Sequence, residues 1–159
     1  MRRLPPLLRR AWYSLNQAFR QRITPLGITP DQYSILRWLS EGPAFGLTQS
    51  EITVCMASDP ATITATVSRM EKNGLLQRIR HESDRRAKRV RLLPRGSEVF
   101  AQAQTIAHAL QRNILSELSP EQAESFLALL EIVAEKCARE SKGPIAATGN
   151  ENLVSARDA

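Results

Sequence analysis

Apolar side chains recur every three or four positions between residues 4 and 23, with charged and amide side chains on the opposite side. That spacing predicts an amphipathic helix. Pro25 and Gly27 end it, because proline cannot continue a helix and glycine readily leaves one. Thr29–Asp31 then combines an N-cap residue with a proline in the first turn. We therefore expect a second helix that ends before Gly42.

The next part of the chain predicts two short helices joined by a tight turn. Thr48 and Glu51 have the spacing of a capping box, which opens the first of them. Asp59–Pro60 opens the second, and Asn73–Gly74 supplies its end. Two short helices so joined form a helix-turn-helix. The first is predicted to direct Ile52, Cys55 and Met56 inward.

After Gly74 the apolar period changes from helical to alternating. Residues 75–80 and 88–93 each alternate apolar with polar or charged side chains, which predicts a hairpin around a polar tip. A long helix is expected from Pro94, and Ser119–Gln122 caps a last helix. We expect that helix to bury an apolar stripe consisting of Phe126, Leu127, Leu130, Val133, Ala134 and Cys137.

These elements predict a mainly α fold with a small β-hairpin wing. Residues 29–95 form a winged helix-turn-helix, and residues 142–159 are expected to be a disordered tail. The remaining helices lie in residues 1–28 and 96–141. Their apolar stripes come from opposite ends of the chain and need partners.

Composition narrows the class of protein. The chain has 159 residues, which is about one domain, and its 42% hydrophobic and 24% charged content is ordinary for a soluble fold. No stretch reaches the roughly 20 apolar residues of a membrane span. The basic start is not followed by the apolar run of a signal peptide. We expect a cytoplasmic protein without a membrane partner.

Cysteine and histidine usage predicts neither a metal site nor a cofactor. The two cysteines, Cys55 and Cys137, form no disulfide framework or zinc-ligand spacing, and there are only two histidines. Both cysteines fall on apolar stripes, which favours buried hydrophobic roles. A thiol-based redox switch stays open as an alternative. The sequence holds no phosphate loop, metal cluster or nucleophile beside a base, so an enzyme is not expected.

Positive charge is concentrated in one segment. Residues 78–95 contain eight basic and two acidic side chains, an excess equal to the +6 net charge of the whole chain. An otherwise neutral protein with one basic segment is typical of a polyanion contact. Because this segment coincides with the predicted hairpin, it favours nucleic acid over an ordinary solvated face.

The helix from Pro60 to Asn73 has two distinct faces. Ile63, Val67 and Met70 define the buried side at helical spacing. The other side carries small and hydroxyl side chains that allow close approach to bases, and threonine methyls can touch thymine methyls. This outer side consists of Ala61, Thr62, Thr64, Ala65, Ser68, Arg69 and Lys72.

Asp84, Arg85 and Arg86 form the tip of the hairpin. A carboxylate two residues from an arginine can hold the guanidinium in a fixed direction. An oriented arginine suits a narrow minor groove, where the negative potential is strongest.

The stretch from Ser58 to Leu76 resembles the recognition helix of the MarR family of bacterial transcription regulators. The segments 84–86 and 88–96 are similar to that family's wing and the start of its next helix, and residues 26–33 and 47–51 match in type and order. The resemblance covers about residues 4 to 140. It implies a homodimeric regulator, a repressor or less often an activator, on double-stranded DNA. It also implies that the helices in residues 1–28 and 96–141 are dimerisation helices. Ala65 departs from the longer polar residue of many relatives.

By this resemblance Arg86 enters the minor groove, while Thr62, Thr64, Ser68 and Arg69 lie at the major groove. The full predicted DNA-binding set is Thr48, Gln49, Ser58, Ala61, Thr62, Thr64, Ala65, Ser68, Arg69, Lys72, Arg78, Arg80, Asp84, Arg85, Arg86, Lys88 and Arg89.

The resemblance also implies a small aromatic or anionic effector in a pocket between the dimer helices and the winged domain. The side chains that could line it are Trp12, Tyr13, Tyr33, Arg37 and Trp38. Core packing of these aromatics and ligand-independent control stay open as alternatives.

Two further functions stay open. A non-specific architectural DNA binder would use the basic hairpin alone, without a large gap between specific and random DNA affinity. A winged helix that binds other proteins would not need the basic hairpin.

Overall fold

A computed structural model describes residues 3–80 and 88–141. Those residues form six α-helices and three short strands. The helices are α1 (Leu4–Ile23), α2 (Pro30–Glu41), α3 (Gln49–Cys55), α4 (Pro60–Lys72), α5 (Pro94–Leu115) and α6 (Pro120–Ser141); the strands are β1 (Leu47–Thr48), β2 (Leu76–Arg80) and β3 (Lys88–Leu92). This order confirms the predicted mainly α fold with a winged helix-turn-helix.

The predicted helix boundaries are confirmed. They could be predicted because local hydrogen bonds set where a helix begins. At α2 the Thr29 hydroxyl accepts from the N–H of Gln32, and the Gln32 side chain accepts from the N–H of Thr29. Thr48 and Glu51 form the same reciprocal capping box at α3. Gly74 follows α4 at φ +68°, where glycine is favoured.

The sheet has three strands rather than the predicted two. Its order is β1-β3-β2, which places β3 in the centre, and both pairs are antiparallel. β1 pairs Leu47 with Val90 and Thr48 with Arg89. The prediction of a two-stranded hairpin was incomplete because a two-residue strand has no detectable period. It exists only through pairing with a distant strand.

The described residues contain a core that joins the helix-turn-helix to α1, α2 and α5. Tyr33 on α2 lies between two rings: Phe19 of α1 meets it edge-on at 4.9 Å, and Phe100 of α5 stacks on it at 5.8 Å between centroids. The largest fully buried side chains of this core are Ile23, Ile35, Leu36, Ile52, Ile63, Met70, Leu76, Val67 and Val90.

The chain divides into two compact units, Met1–Ile114 and Leu115–Ala159. The first contains all of α1 to α4, the sheet and nearly all of α5. The domain boundaries at residues 28, 95 and 141 stay predictions, and the tail from residue 142 lies outside the described residues.

The apolar stripe of α6 is not buried. No residue of α6 is buried in the single chain, and Phe126 and Leu127 are 47% and 41% exposed. Leu130 and Val133 are half-buried, while Ala134 and Cys137 are exposed. The prediction that this helix buries its stripe was therefore wrong for one copy of the chain. Helical spacing identifies an apolar face but not the surface that covers it.

The cysteines also differ from the buried roles predicted for them. Cys55 is half-buried at the end of α3, and Cys137 is exposed on α6. On α3, Ile52 is fully buried while Met56, just after the helix, is half-buried. Within the described residues, no helix combines the length and the apolar character that crossing a bilayer requires.

Candidate nucleic-acid interface

Helix α4 presents the predicted outer face. Ile63, Val67 and Met70 are buried as predicted, and Thr66 joins them at 8% exposure. The exposed side chains on this helix include Ala61, Thr62, Thr64, Ala65, Arg69 and Lys72. Short side chains thus cover the first two turns of the outer face, so that α4 can approach the bases of a major groove closely.

Hydrogen bonds fix the N-terminal hydroxyls of this face. Asp59 caps α4: its Oδ1 accepts from the N–H of Thr62 at 2.9 Å, and its Oδ2 accepts from the Thr62 hydroxyl at 2.6 Å. These bonds stabilise the ionised carboxylate and hold the pKa of Asp59 below its ordinary value. Thr62 is therefore oriented without any ligand.

The two helices of the helix-turn-helix are joined by a side-chain contact. Nε2 of Gln49 on α3 donates to Oγ1 of Thr64 on α4 at 3.0 Å. The Thr64 hydroxyl donates in turn to the carbonyl of Pro60 at 2.8 Å. Gln49 is half-buried and Thr64 is exposed, so the pair holds its atoms at the edge of the predicted DNA surface.

Ser68 and Arg78 contact each other rather than standing free. Nη2 of Arg78 on β2 donates to Oγ of Ser68 on α4. The Glu71 carboxylate faces Nε of Arg78 at 3.2 Å and accepts from its backbone N–H at 2.8 Å. Glu71 was not among the predicted site residues, because nothing in the helical pattern links it to a residue seven positions later.

Arg89 on β3 is similarly engaged. Its Nη1 donates to the carbonyl of Gly46 at 3.0 Å and lies 4.0 Å from Oε2 of Glu51. The guanidinium lies 4.4 Å from the ring centroid of Phe45. These contacts connect β3 to the residues before β1 and to α3, so Arg89 stabilises the attachment of the sheet.

The remaining predicted residues are distributed around this face. Thr48 lies in the α3 capping box, and Ser58 is half-buried in the turn before α4. Arg80 ends β2, where it pairs in register with Lys88, and Lys88 is exposed. Asp84, Arg85 and Arg86 lie outside the described residues.

The face is electropositive. Within residues 3–80 and 88–141, Arg69, Lys72 and Lys88 have no carboxylate within ion-pair distance, whereas Arg78 and Arg89 do. The exposed cations are thus available for phosphates, while the two paired arginines are held in the fold.

The five side chains predicted to bind an effector lie on α1 and α2. Trp12 and Tyr13 on α1 are both 65% exposed. Tyr33 packs between Phe19 and Phe100, and the Arg37 guanidinium lies 5.4 Å from the Trp38 ring centroid. A cavity of about 380 Å³ lies elsewhere, between the turn before α2, the end of α4 and the start of α5. None of the five lines it.

Comparison with known proteins agrees with this geometry. A family model described as MarR family matches residues 26–87. The transcriptional regulator HosA of Escherichia coli O127:H6 is 30% identical over 129 residues, which cover 78% of this chain and 94% of HosA. Two solved structures share the fold. A MarR family protein from Bacillus stearothermophilus is 32% identical, with TM-score 0.71 over 84% of this chain and 91% of that one. The S. aureus MepR–DNA complex is 23% identical, with TM-score 0.79 over 86% of this chain and 99% of that one.

Proposed function

The chain belongs to the MarR family of winged-helix transcriptional regulators, and on that premise we propose that it represses transcription as a homodimer on a pseudo-palindromic operator. Members of the family are DNA-binding proteins rather than enzymes. The observation that carries the proposal is the outer face of α4, which combines short side chains, fixed hydroxyls, and cations that form no ion pair with any described residue. We place its action in the cytoplasm, where it meets chromosomal DNA.

Sequence-specific reading is favoured by how the face is ordered. Thr62 is held by Asp59 and Thr64 by Gln49, so these hydroxyls meet DNA with little loss of conformational freedom. Arg69 and Lys72 add charge on the same helix. Bonds to phosphates position a protein on DNA, whereas contacts to base edges select the sequence. The α4 face offers both kinds of group.

Dimerisation is favoured by apolar surface that one chain leaves uncovered. On α1, Leu4, Leu7 and Trp12 are 51%, 43% and 65% exposed. On α6, Leu129 and Ile132 are 62% and 60% exposed. Contiguous apolar side chains of this kind mark interaction sites on monomers. A two-fold dimer would place two α4 helices about one turn of DNA apart, which requires a pseudo-palindromic site.

The wing completes the proposed interface. By the family resemblance, Arg86, which lies outside the described residues, would enter the minor groove beside each half-site. Lys88, exposed at the start of β3, would add a phosphate contact. We further propose that a small aromatic or anionic effector releases the DNA, with Tyr33, Arg37 and Trp38 of α2 in the site that binds it.

Selection of binding sites from a random duplex pool tests the proposal. We expect a pseudo-palindromic winner that is bound about 10³-fold or more above scrambled DNA, and two protein chains on each duplex. Affinity is measured at two salt concentrations, since backbone contacts alone fall steeply with salt. If no sequence wins while binding still collapses with salt, the chain is an architectural DNA binder and the operator proposal is wrong.

Repression and release need a second measurement. The selected site, placed over a promoter in a defined transcription reaction, should lower transcript output when the protein is added. Titration of the complex with salicylate-like anions, followed by tryptophan fluorescence, tests the effector. No change up to millimolar anion would contradict ligand release by this class of molecule.

A further inference from the structure

We infer that Glu71, Arg78 and Ser68 form a positioning clamp that sets the wing at a fixed distance and angle from the recognition helix α4. The inference rests on the proposed function, and it assigns Arg78 and Ser68 to shaping the DNA surface instead of touching DNA.

The clamp consists of three contacts between α4 and β2. Oε1 of Glu71 accepts from the backbone N–H of Arg78 at 2.8 Å, and Oε2 faces Nε of the same residue at 3.2 Å. Nη2 of Arg78 donates to the Ser68 hydroxyl. Ser68 and Glu71 are three residues apart, hence neighbours on the helix surface. One arginine therefore meets two adjacent side chains of α4.

The contacts are sheltered enough to be specific. The Arg78 side chain is 19% exposed and that of Glu71 is 38% exposed. The bond from the Arg78 N–H to the ionised Glu71 carboxylate is charge-assisted, which is the stronger class, whereas the contact between Nε and Oε2 is an ion pair without hydrogen-bond geometry. An arginine so held cannot swing to a phosphate without breaking them.

The position of β2 explains why a side chain is needed there. The sheet order β1-β3-β2 makes β2 an edge strand, whose outward N–H groups find no partner strand among the described residues. Unpaired N–H groups on an edge are costly when shielded from water. The Glu71 carboxylate accepts from one of these N–H groups, that of Arg78, as a carbonyl of a neighbouring strand would.

The clamp is a second point of attachment. α4 already leads into β2 through a tight turn, in which Gly74 N–H donates to the Glu71 carbonyl and Leu75 N–H donates to the Met70 carbonyl. One turn fixes where the strand starts but leaves its direction free to tilt. The bonds at Arg78, two residues into β2, remove that freedom and fix the direction in which the hairpin leaves α4.

The charges of the clamp agree with positioning. A bare carboxylate on the recognition helix would repel phosphates, and Arg78 neutralises it. The pair therefore contributes little net charge toward DNA. Arg69, exposed on the same helix without a carboxylate within ion-pair distance among the described residues, is the matched contrast.

Salt-dependent affinities of Glu71→Ala, Arg78→Ala and the double variant, on the selected operator and on random DNA, test the clamp. We expect the operator-to-random ratio to fall by the same factor of about ten in each single variant and in the double variant, since the two residues act as one unit. The slope of log affinity against log salt should stay that of wild type for the double variant, which removes one charge of each sign. For the control Arg69→Ala the slope should become shallower by about one. Hydroxyl-radical footprints should lose protection at the minor grooves flanking the half-sites and keep it at their centres.

Two outcomes overturn the clamp. A shallower salt slope for the double variant would make Arg78 a phosphate contact, and a hundredfold fall of the operator-to-random ratio in that variant would make the two effects independent. Circular dichroism melting verifies that each variant is folded at the temperature used. Glu71→Gln, which keeps an acceptor for the Arg78 N–H, guards against misfolding and should lower the operator-to-random ratio about threefold. An unchanged ratio would also overturn the inference. If wild type itself shows no operator preference, the proposed function fails before any variant is compared.

Discussion

Gln49 on α3 donates its side-chain N–H to the hydroxyl of Thr64 on α4 at 3.0 Å, so the two helices of the helix-turn-helix share a polar contact at the edge of the proposed DNA surface. The bond fixes the direction of the Thr64 hydroxyl, which the proposed function places at the major groove. Its two residues lie fifteen positions apart, and only the fold brings them together.

Gln49→Ala should therefore alter base preference more than stability. The bond is exposed, so its loss should lower the free energy of unfolding by at most about 1 kcal/mol. The freed Thr64 hydroxyl should accept more bases at the position it faces, which repeated site selection would show as a less defined column in the recovered operator. Gln102→Ala, an exposed glutamine on α5, is the control. An unchanged operator logo for Gln49→Ala would contradict the reading role of this pair.

Arg86→Ala should weaken operator binding by about 1–3 kcal/mol if this residue enters the minor groove as the family resemblance implies. Binding is measured by titration at fixed salt. Arg91→Ala removes an exposed charge on β3 outside the predicted contact set, and it should change affinity by much less. Equal losses for the two variants would point to general attraction by charge, and no loss for Arg86→Ala would contradict the minor-groove role.

Gly96→Ala should destabilise the fold much more than Gly27→Ala. A Cβ at Gly96 would lie 1.9 Å from the carbonyl oxygen of Leu75, so α5 would have to move away from the start of the sheet. We expect a cost of about 3 kcal/mol. At Gly27, φ is +71° but a Cβ would meet no atom within 4 Å, so the cost should be about 1 kcal/mol from backbone strain alone. Urea unfolding followed by circular dichroism measures both, and similar costs would contradict the close packing of α5.

Leu127→Glu should shift the protein from dimer to monomer. A glutamate placed in an apolar interface loses water without gaining a partner, which costs several kcal/mol. Val54→Glu, which changes an exposed apolar residue on α3 (64% exposed), should leave the assembly intact. Sedimentation equilibrium distinguishes the 17.8 kDa chain from its dimer. A dimer that survives Leu127→Glu would contradict a role of this α6 stripe in assembly.

The stability of the fold should depend on pH through Asp59, which caps α4. Because its pKa is lowered in the folded chain, the stability should fall as the pH falls. In the folded chain, bonds from the Thr62 hydroxyl and the Thr62 N–H hold the pKa of Asp59 below its ordinary value of 3.8. The ionised carboxylate thus stabilises the fold fully above its unfolded pKa, and this contribution is lost as pH falls through the folded pKa. The melting temperatures of wild type and Asp59→Asn should therefore converge as pH falls below about 4. A gap independent of pH would show that the charge of the cap contributes nothing.

The local elements of this fold could be predicted because their signals are local. Thr29, Thr48 and Asp59 each meet a partner three residues ahead, and those short-range bonds set where a helix begins. The buried face of α4 follows from spacing alone, since Ile63, Val67 and Met70 share one side of any α-helix.

Contacts between distant elements could not be predicted in this way. A helical wheel places Ser68 outward but does not show that β2 brings Arg78 onto it. Likewise the basic character of Arg89 indicated DNA, whereas the structure directs that side chain to Gly46, Glu51 and Phe45. The charge count predicted a DNA surface around the hairpin, but it could not show which arginines are paired with carboxylates, because the tertiary fold places those carboxylates.

The central position of β3 has a consequence for how the chain is made. On the ribosome β1 emerges roughly 40 residues before β3, and among the described residues both β1 and β2 pair with β3 alone. β1 must therefore wait for β3 before it can pair. Until then Leu47 has no β3 strand to pair with, and α3, which begins directly after β1, is not attached to a sheet. A nascent chain that has completed α4 thus carries the recognition helix without a finished frame around it. The ability to bind DNA should appear late and in one step during synthesis, so that an abandoned, truncated product would not occupy operators in place of the complete regulator.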